Sequence, residues 1–206
     1  IGQLPLAPMQ YQQYEALRRV VSYGGKYDFS RQRLEASDPI PAWLDPLRER
    51  AAAWIGMAPS GFTQALVAEY RPGTPLGWHR DVPDFEDIVG ISLANEAVLR
   101  FRPYPPLAPK KADVLRLAVA PRSIYLLRGP ARWGWQHSVA ATKLLRYSIT
   151  LRTARKVSES TLMSGREGGG GRARSPDAGA RAGRAGRAPP PRCRTRCCPP
   201  QPNPCG

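Results

Sequence analysis

The chain holds two histidines in 206 residues. His79 stands in Gly77-Trp78-His79-Arg80-Asp81, and His137 lies shortly before Arg146-Tyr147-Ser148-Ile149-Thr150-Leu151-Arg152. Two imidazoles and one carboxylate form the facial triad of non-haem iron(II) oxygenases. It leaves three positions of an octahedron open for a bidentate co-substrate and O2. His-x-Asp alone carries little information, because a surface or hydrogen-bonded core histidine is the commoner state of that residue. The same letters open the kinase catalytic-loop signature. That signature needs an Asn five residues after the Asp, where Glu86 stands, and an Asp-Phe-Gly and a Gly-rich loop that the chain lacks.

Spacing adds more. Leu76 to Asp81 follows the turn Arg71-Pro72-Gly73-Thr74-Pro75, the usual punctuation between antiparallel strands. Side chains of a strand repeat every two residues, so His79 and Asp81 point to one face. In Leu144 to Arg152, the apolar Leu145, Tyr147, Ile149 and Leu151 alternate with Arg146, Ser148, Thr150 and Arg152. That period of two predicts a strand with one face on a core and two guanidinium groups on the other. A solvated polar face is the plain alternative. An arginine fork can hold a carboxylate bidentately, which a lysine cannot.

In order along the chain come Ala68-Glu69-Tyr70-Arg71-Pro72-Gly73-Thr74-Pro75-Leu76-Gly77-Trp78-His79-Arg80-Asp81, then Trp135-Gln136-His137-Ser138, then Arg146 to Arg152. With these blocks the sequence resembles the AlkB-type iron(II)/2-oxoglutarate-dependent dioxygenases, from about Tyr23 to Arg155. The resemblance implies a double-stranded β-helix, or jelly roll, with Fe(II), 2-oxoglutarate and O2 as cofactors. It implies His79, Asp81 and His137 as iron ligands and Arg146 as the partner of the distal co-substrate carboxylate. Arg152 would lie near the C1 carboxylate and the oxygen-binding face, and Tyr70 would donate a hydrogen bond to the co-substrate. Ser148 completes the cofactor-binding set, although many members have Asn there, and Ala68 replaces another Asn. By analogy with the family's nucleotide lid, Tyr27, Phe29 and Arg31 are substrate-binding candidates, with Tyr23 beside them. Trp78 and Asp84 join that set, and Pro83 stands where DNA-repair members often carry an acid.

The implied reaction is oxidative demethylation of N-alkylated bases in DNA or RNA, releasing formaldehyde and succinate. A methylated nucleic acid is the implied partner, and reaching the methyl in a duplex requires flipping the base out. A 2-oxoglutarate oxygenase acting on a protein or small molecule, and a non-catalytic nucleic-acid-binding module, are the competing readings. Ligation needs neutral imidazoles, so metal affinity should fall below about pH 6.

The elements that must position these residues are mostly strands. Gln10 to Ser22 reads as an amphipathic helix, with Tyr14, Leu17 and Val21 on one side, Arg18 and Arg19 outside, and Gly24-Gly25 at its end. Tyr27 to Phe29 reads as a short strand or loop, and Arg31 to Asp38 as loop. A second helix starts at Pro41-Ala42-Trp43 and runs to about Gly56, with Trp43, Leu47, Ala51 and Trp54 as its buried stripe. From Phe62 the pattern gives about eight short strands divided by turn signals, which predicts a mainly β sandwich or jelly roll. Leu99 and Phe101 should face inward, with Arg100 and Arg102 outward as plausible phosphate contacts alongside Lys110 and Lys111. Arg122, Arg128 and Arg132 add to the basic inventory near the site.

The net charge is +15. From about Ser158 the chain turns rich in Gly, Ala, Arg and Pro, with nine arginines against three acids, so about +9 remains on residues 1–157. That balance attracts polyanions. Residues 158–206 form a tail expected to be disordered, since it cannot bury enough surface to offset chain entropy. It holds all four cysteines, Cys193, Cys197, Cys198 and Cys205. Their absence from the catalytic region fits a reducing cytoplasm. A zinc site made of them would lack paired Cys-x-x-Cys spacing. No apolar run is long enough to span a membrane, no secretory signal is visible at Ile1-Gly2-Gln3-Leu4-Pro5-Leu6, and a monomer is expected.

Overall fold

The computed structural model describes residues 1–155, apart from residues 12, 13, 29, 30, 32, 108 and 109, together with Arg196–Cys197. Its first elements are strands. β1 (Ala7–Tyr11) and β2 (Tyr14–Tyr23) pair antiparallel, which corrects the helix expected over Gln10 to Ser22. Leu17, assigned to the buried stripe, is 71% exposed. The physical reason lies in Val20 and Val21. They point to opposite faces, and each finds its own core. Two adjacent apolar residues break the alternation that a one-faced strand would show, so periodicity does not separate this stretch from a helix. Gly24 does end the element, with a positive φ of 77°. β3 (Lys26–Asp28) and β4 (Arg33–Glu35) form a small hairpin, so the strand alternative at Tyr27 forms and a strand stands within the loop expected over Arg31 to Asp38.

The expected helix forms as a 3-10 turn over Ala42–Leu44 followed by α1 (Asp45–Ile55), closed by Gly56 in the left-handed conformation. The tighter first turn shifts the buried face. Leu44 is fully buried with Ala51 and Ala52, while Trp43 is 45% exposed, a correction to the predicted stripe. Leu47 and Trp54 pack against the edge of this core.

The eight predicted strands are all present as β5 (Phe62–Tyr70), β6 (Leu76–His79), β7 (Phe85–Leu93), β8 (Ala97–Pro103), β9 (Leu115–Val119), β10 (Ser123–Leu127), β11 (Trp135–Val139) and β12 (Arg146–Ala154). A four-residue helix, α2 (Pro130–Trp133), carried no sequence signal long enough to be read. A two-residue strand, β13 (Arg196–Cys197), pairs with β10. Apart from it, the disorder expected for residues 158–206 lies outside the described residues.

Two antiparallel sheets result. The larger runs β1-β2-β5-β12-β7-β10-β13 and the smaller runs β6-β11-β8-β9. One face of the larger sheet packs on α1 through Ala65, Val67, Val89, Ile149 and Leu151. The other packs on the smaller sheet through Ala68, Tyr70, Leu99, Phe101 and Val139. The centre of β12 is therefore buried on both sides, and its polar row is enclosed rather than solvated. Arg146 is 1% exposed and Ser148 5%, whereas Leu145, at the strand's entrance, is 39% exposed.

The turn before β6 aims the strand. Thr74 N–H donates to Arg71 O at 2.9 Å, and Gly73 takes φ +84°, the left-handed state that a turn of this kind needs at its third residue. Gly73 N–H to Thr142 O at 2.7 Å and the Thr142 hydroxyl to Arg71 O at 3.0 Å fasten the turn to the chain leading into β12.

Candidate active site

His79 ends β6 and His137 sits in β11, and the two strands place them directly opposite in register. Their rings stand 4.2 Å apart. Asp81, just past β6, brings its Oδ2 to 3.6 Å from His137 Nε2. One ligand atom from each of the three lies within 4.8 Å of the others. His79 Nδ1 sits 2.9 Å from Gly77 O. A proton there donates to the carbonyl and leaves the lone pair on Nε2, which orients the ring for ligation.

Arg152 grips the aspartate. Its Nε and Nη2 donate to Asp81 Oδ1 at 3.0 and 2.6 Å, and its Nη1 donates to Gln64 Oε1 at 2.7 Å. With all three nitrogens engaged, Arg152 orients Asp81 and also lines the cavity beside it. Arg132 braces the backbone that carries Asp81. It is 3% exposed, and its Nη2 donates to the carbonyls of Asp81, Val82 and Phe85. It is thus a buried scaffold, not part of a basic surface, and Arg128 is likewise spent on Asp87.

Electrostatics follow from this enclosure. Burial pushes His79 below its ordinary value, and Asp81 only partly offsets it. Burial, then the facing His79, pushes His137 down to about 3. Burial would raise Asp81, but Arg152 and the two imidazoles outweigh it and hold the carboxyl well below its usual range. The site is thus set with neutral imidazoles and a charged carboxylate, the protonation states that ligation requires. Burial thus keeps both imidazoles neutral to more acid conditions than a free histidine would allow.

A cavity between the sheets joins this triad to Arg146, Ser148, Thr150, Arg152 and Tyr70. Arg146 donates its Nε to Ser92 Oγ at 3.0 Å and lies 5.0 Å from the Tyr70 ring centre. Its Nη1 and Nη2 are buried and have no partner among the described residues. A buried guanidinium left unpaired is costly, and a ligand carboxylate satisfies both nitrogens at once. Two imidazoles, one carboxylate and an orphaned arginine fork therefore fit a divalent iron with 2-oxoglutarate beside it.

The substrate candidates fare differently. Trp78 neighbours His79 on a strand, so it points to the opposite face, where the Arg100 and Arg102 guanidiniums lie 5.3 and 4.6 Å from its ring centre. Arg31 is held by Asp28 and Glu35. Asp84 is exposed beyond the end of β6 and Tyr27 lies in β3, so neither lines the cavity. Phe29 lies outside the described residues. Sequence reasoning missed two polar side chains of the cavity, Arg18 and Tyr125. Arg18 shares the inward face of β2 with Val20, and its Nε is buried without a partner. A strand reading of β2 would have placed it there. Tyr125 lines the cavity with its hydroxyl raised to about 12 by burial, against the pull of Arg146, so it stays a neutral phenol.

The chain belongs to the 2OG-Fe(II) oxygenase superfamily, whose family description matches residues 5–158. Fe(II), 2-oxoglutarate and O2 are the cofactors of this class of dioxygenase domain, and the donor set described above suits them. Two relatives and one solved structure show where the chain's similarities within the superfamily lie. It is 30% identical over 166 residues to the Alkylated DNA repair protein ALKBH8 homolog of Arabidopsis thaliana, covering 69% of this chain and 48% of that protein. It is 29% identical over 137 residues to Uncharacterized protein L905 of Acanthamoeba polyphaga mimivirus, covering 60% of this chain and 62% of that one. The chain thus spans less than two thirds of either relative's length. The structure of OsALKBH1 shares the fold, with a TM-score of 0.57 at 14% identity, over 71% of this chain and 82% of that chain.

Proposed function

We propose that residues 1–157 form a dioxygenase domain that oxidatively demethylates N-alkylated bases in DNA or RNA. We read the two facing sheets as the double-stranded β-helix. In this reading His79, Asp81 and His137 hold iron(II), which supplies O2 activation coupled to oxidative decarboxylation of 2-oxoglutarate and hydroxylation of the N-methyl group. Arg146 pairs with the distal carboxylate of 2-oxoglutarate, next to Tyr70, Ser148 and Tyr125. Arg152 fixes the rotamer and charge of Asp81. The small side chains of Ala68 and Ser148 leave the co-substrate fewer amide contacts, so Arg146 carries more of its binding. The hydroxymethyl product loses formaldehyde and returns the free base, while 2-oxoglutarate leaves as succinate and CO2.

The observation that carries this reading is the partnerless, buried Arg146 fork in the same cavity as the three clustered ligand atoms. The base substrate rests on the AlkB-type relatives, one of which is named for alkylated DNA repair, and on the basic charge of the domain. Turnover of 2-oxoglutarate, screened against methylated oligonucleotides and methylated peptides, tests it. Formaldehyde stoichiometric with succinate is expected from the oligonucleotides and is expected to vanish in His79→Ala. Formaldehyde from peptides alone would move the substrate to protein.

A further inference from the structure

Many arginines of this domain are neutralised by a carboxylate. Glu69 takes Arg19 and Arg71, Glu35 takes Arg31 and Arg33, and Asp45, Asp87 and Asp81 take Arg48, Arg128 and Arg152. The outward face of the smaller sheet has no such neutralisation. Arg100 and Arg116 are partners in register on β8 and β9, and Arg102 is the next outward residue along β8. Arg80 is the next outward residue after Trp78. Among the described residues, none of these four pairs with a carboxylate.

Arg80, Arg100 and Arg102 are also fixed in place. Arg100 Nε donates to Ser138 Oγ at 3.0 Å, and Arg102 Nε donates to Gln136 Oε1 at 2.8 Å. The Trp78 ring lies against both guanidiniums, at 5.3 and 4.6 Å from its centre. Arg80 stacks 3.7 Å from the centre of Tyr104 and donates to Trp133 O at 3.2 Å. Binding through Nε leaves the two terminal nitrogens of Arg100 and Arg102 free, and those are the pair that grips an anion bidentately. The side-chain entropy of two long residues is already spent before any ligand arrives.

We propose that this face is a second nucleic-acid contact, a track of pre-positioned arginines that binds backbone phosphates on the side of the smaller sheet away from the cavity. The inference rests on the nucleic-acid reading of the active site and extends it to a surface outside that site. Neighbouring strands lie about 4.8 Å apart and alternate residues about 6.6 Å apart, so the guanidiniums repeat on the scale of successive phosphates. Charge of one sign, with aromatic rings interleaved, is the footprint of such surfaces. An anionic membrane fits less well. Trp78 is covered by arginines instead of projecting as an apolar anchor, which membrane-surface binding uses.

The test is the salt dependence of binding of a methylated 20-mer to the full chain loaded with metal and 2-oxoglutarate without O2. Removing one arginine that neutralises a phosphate lowers the slope of log K against log salt by about 0.7 to 0.9. The variant R100Q/R102Q/R116Q is expected to lose about 2 units of slope and to bind at least ~10-fold more weakly at low salt. A wild-type slope in that variant overturns the proposal. So does an unchanged slope together with lost binding to phosphatidylserine vesicles. Thermal stabilisation by metal and co-substrate reports whether the variant folds. If it does not, the exposed Arg80→Gln and Arg116→Gln, measured singly, are each expected to lose close to 1 unit, and no loss in either overturns the proposal. A chain that binds with the arginine-dependent slope but turns over no methylated base would sink the demethylase reading and leave this surface standing. Turnover with an arginine-independent slope would do the reverse.

Discussion

Arg146 is where a single side chain commits the most free energy to an absent partner. It is 1% exposed, its Nε is satisfied by Ser92, and both terminal nitrogens have no acceptor among the described residues. A lysine there keeps the charge but loses the fork. Arg146→Lys is therefore expected to raise KM for 2-oxoglutarate about 10- to 100-fold, with a much smaller change in kcat, in a succinate-release assay. The histidines make a pH prediction with a definite sign. His137 is pushed from 6.5 down to about 3, by burial first and by His79 second. Between those values the unfolded chain takes up a proton that the metal-free folded state refuses, so stability falls as pH falls. Asp81 acts in the other window. Its depressed carboxyl contributes stability above pH 3.8 that is lost only on further acidification. Urea titrations of the metal-free protein should lose about 1 kcal/mol per histidine for each pH unit below about 6, and His137→Gln should flatten that slope. The triad was legible because a strand's period of two fixes His79 and Asp81 on one side. The same rule excludes Trp78 from the cavity, which resemblance by sequence proximity obscured. Arg132 was not legible, because its partners are three carbonyls some 50 residues away in sequence.

Elements explain which parts of the fold could be read. Strands β5 to β12 alternate or are bounded by turn residues, so their number and near-boundaries follow from pattern alone. β2 hides because Val20 serves one core and Val21 another. That misreading also concealed Arg18, which a helix would have turned to solvent. β12 was read correctly as a strand and left open as to its polar row, since only the second sheet decides whether that row is wet. The pairing of β7 with β10 carries a further constraint. Tyr125 faces Gly90 across the ladder, and a Cβ built on Gly90 would overlap the phenol ring. The glycine is the space that lets Tyr125 lie flat along the cavity wall. Gly90→Ala is expected to cost about 1–3 kcal/mol of stability in a denaturant titration. It should also weaken 2-oxoglutarate binding, because the displaced ring moves into the co-substrate's volume. A variant with wild-type stability would mean that Tyr125 has room to move that the packing does not show.

At the scale of the whole molecule, the site is a clamp between two sheets. His79 and His137 belong to the smaller sheet, and Asp81 follows it directly. Arg146, Ser148 and Arg152 belong to the larger one. Before any ligand binds, the Arg152–Asp81 pair links the two halves of the site within the apolar packing around it. Metal bound by the triad ties down the smaller sheet and Asp81, and 2-oxoglutarate reaching Arg146 ties that centre to the larger sheet. Neither ligand recognises the unfolded chain in this arrangement, so each stabilises the folded state by mass action, about 2.7 kcal/mol at a hundredfold excess over Kd. The order of addition should matter. A chelating co-substrate gains its second anchor only when metal is present, so 2-oxoglutarate alone should shift Tm little, metal alone should shift it more, and the pair should exceed the sum of the separate shifts. EDTA should return the protein to its metal-free Tm. Anaerobic thermal unfolding would measure this. Additive shifts would mean that metal and co-substrate bind without sharing a site, and no metal shift in the wild type would remove the triad as a metal centre. In Arg146→Lys the metal shift should persist while the excess from the pair shrinks, which separates the two halves of the clamp.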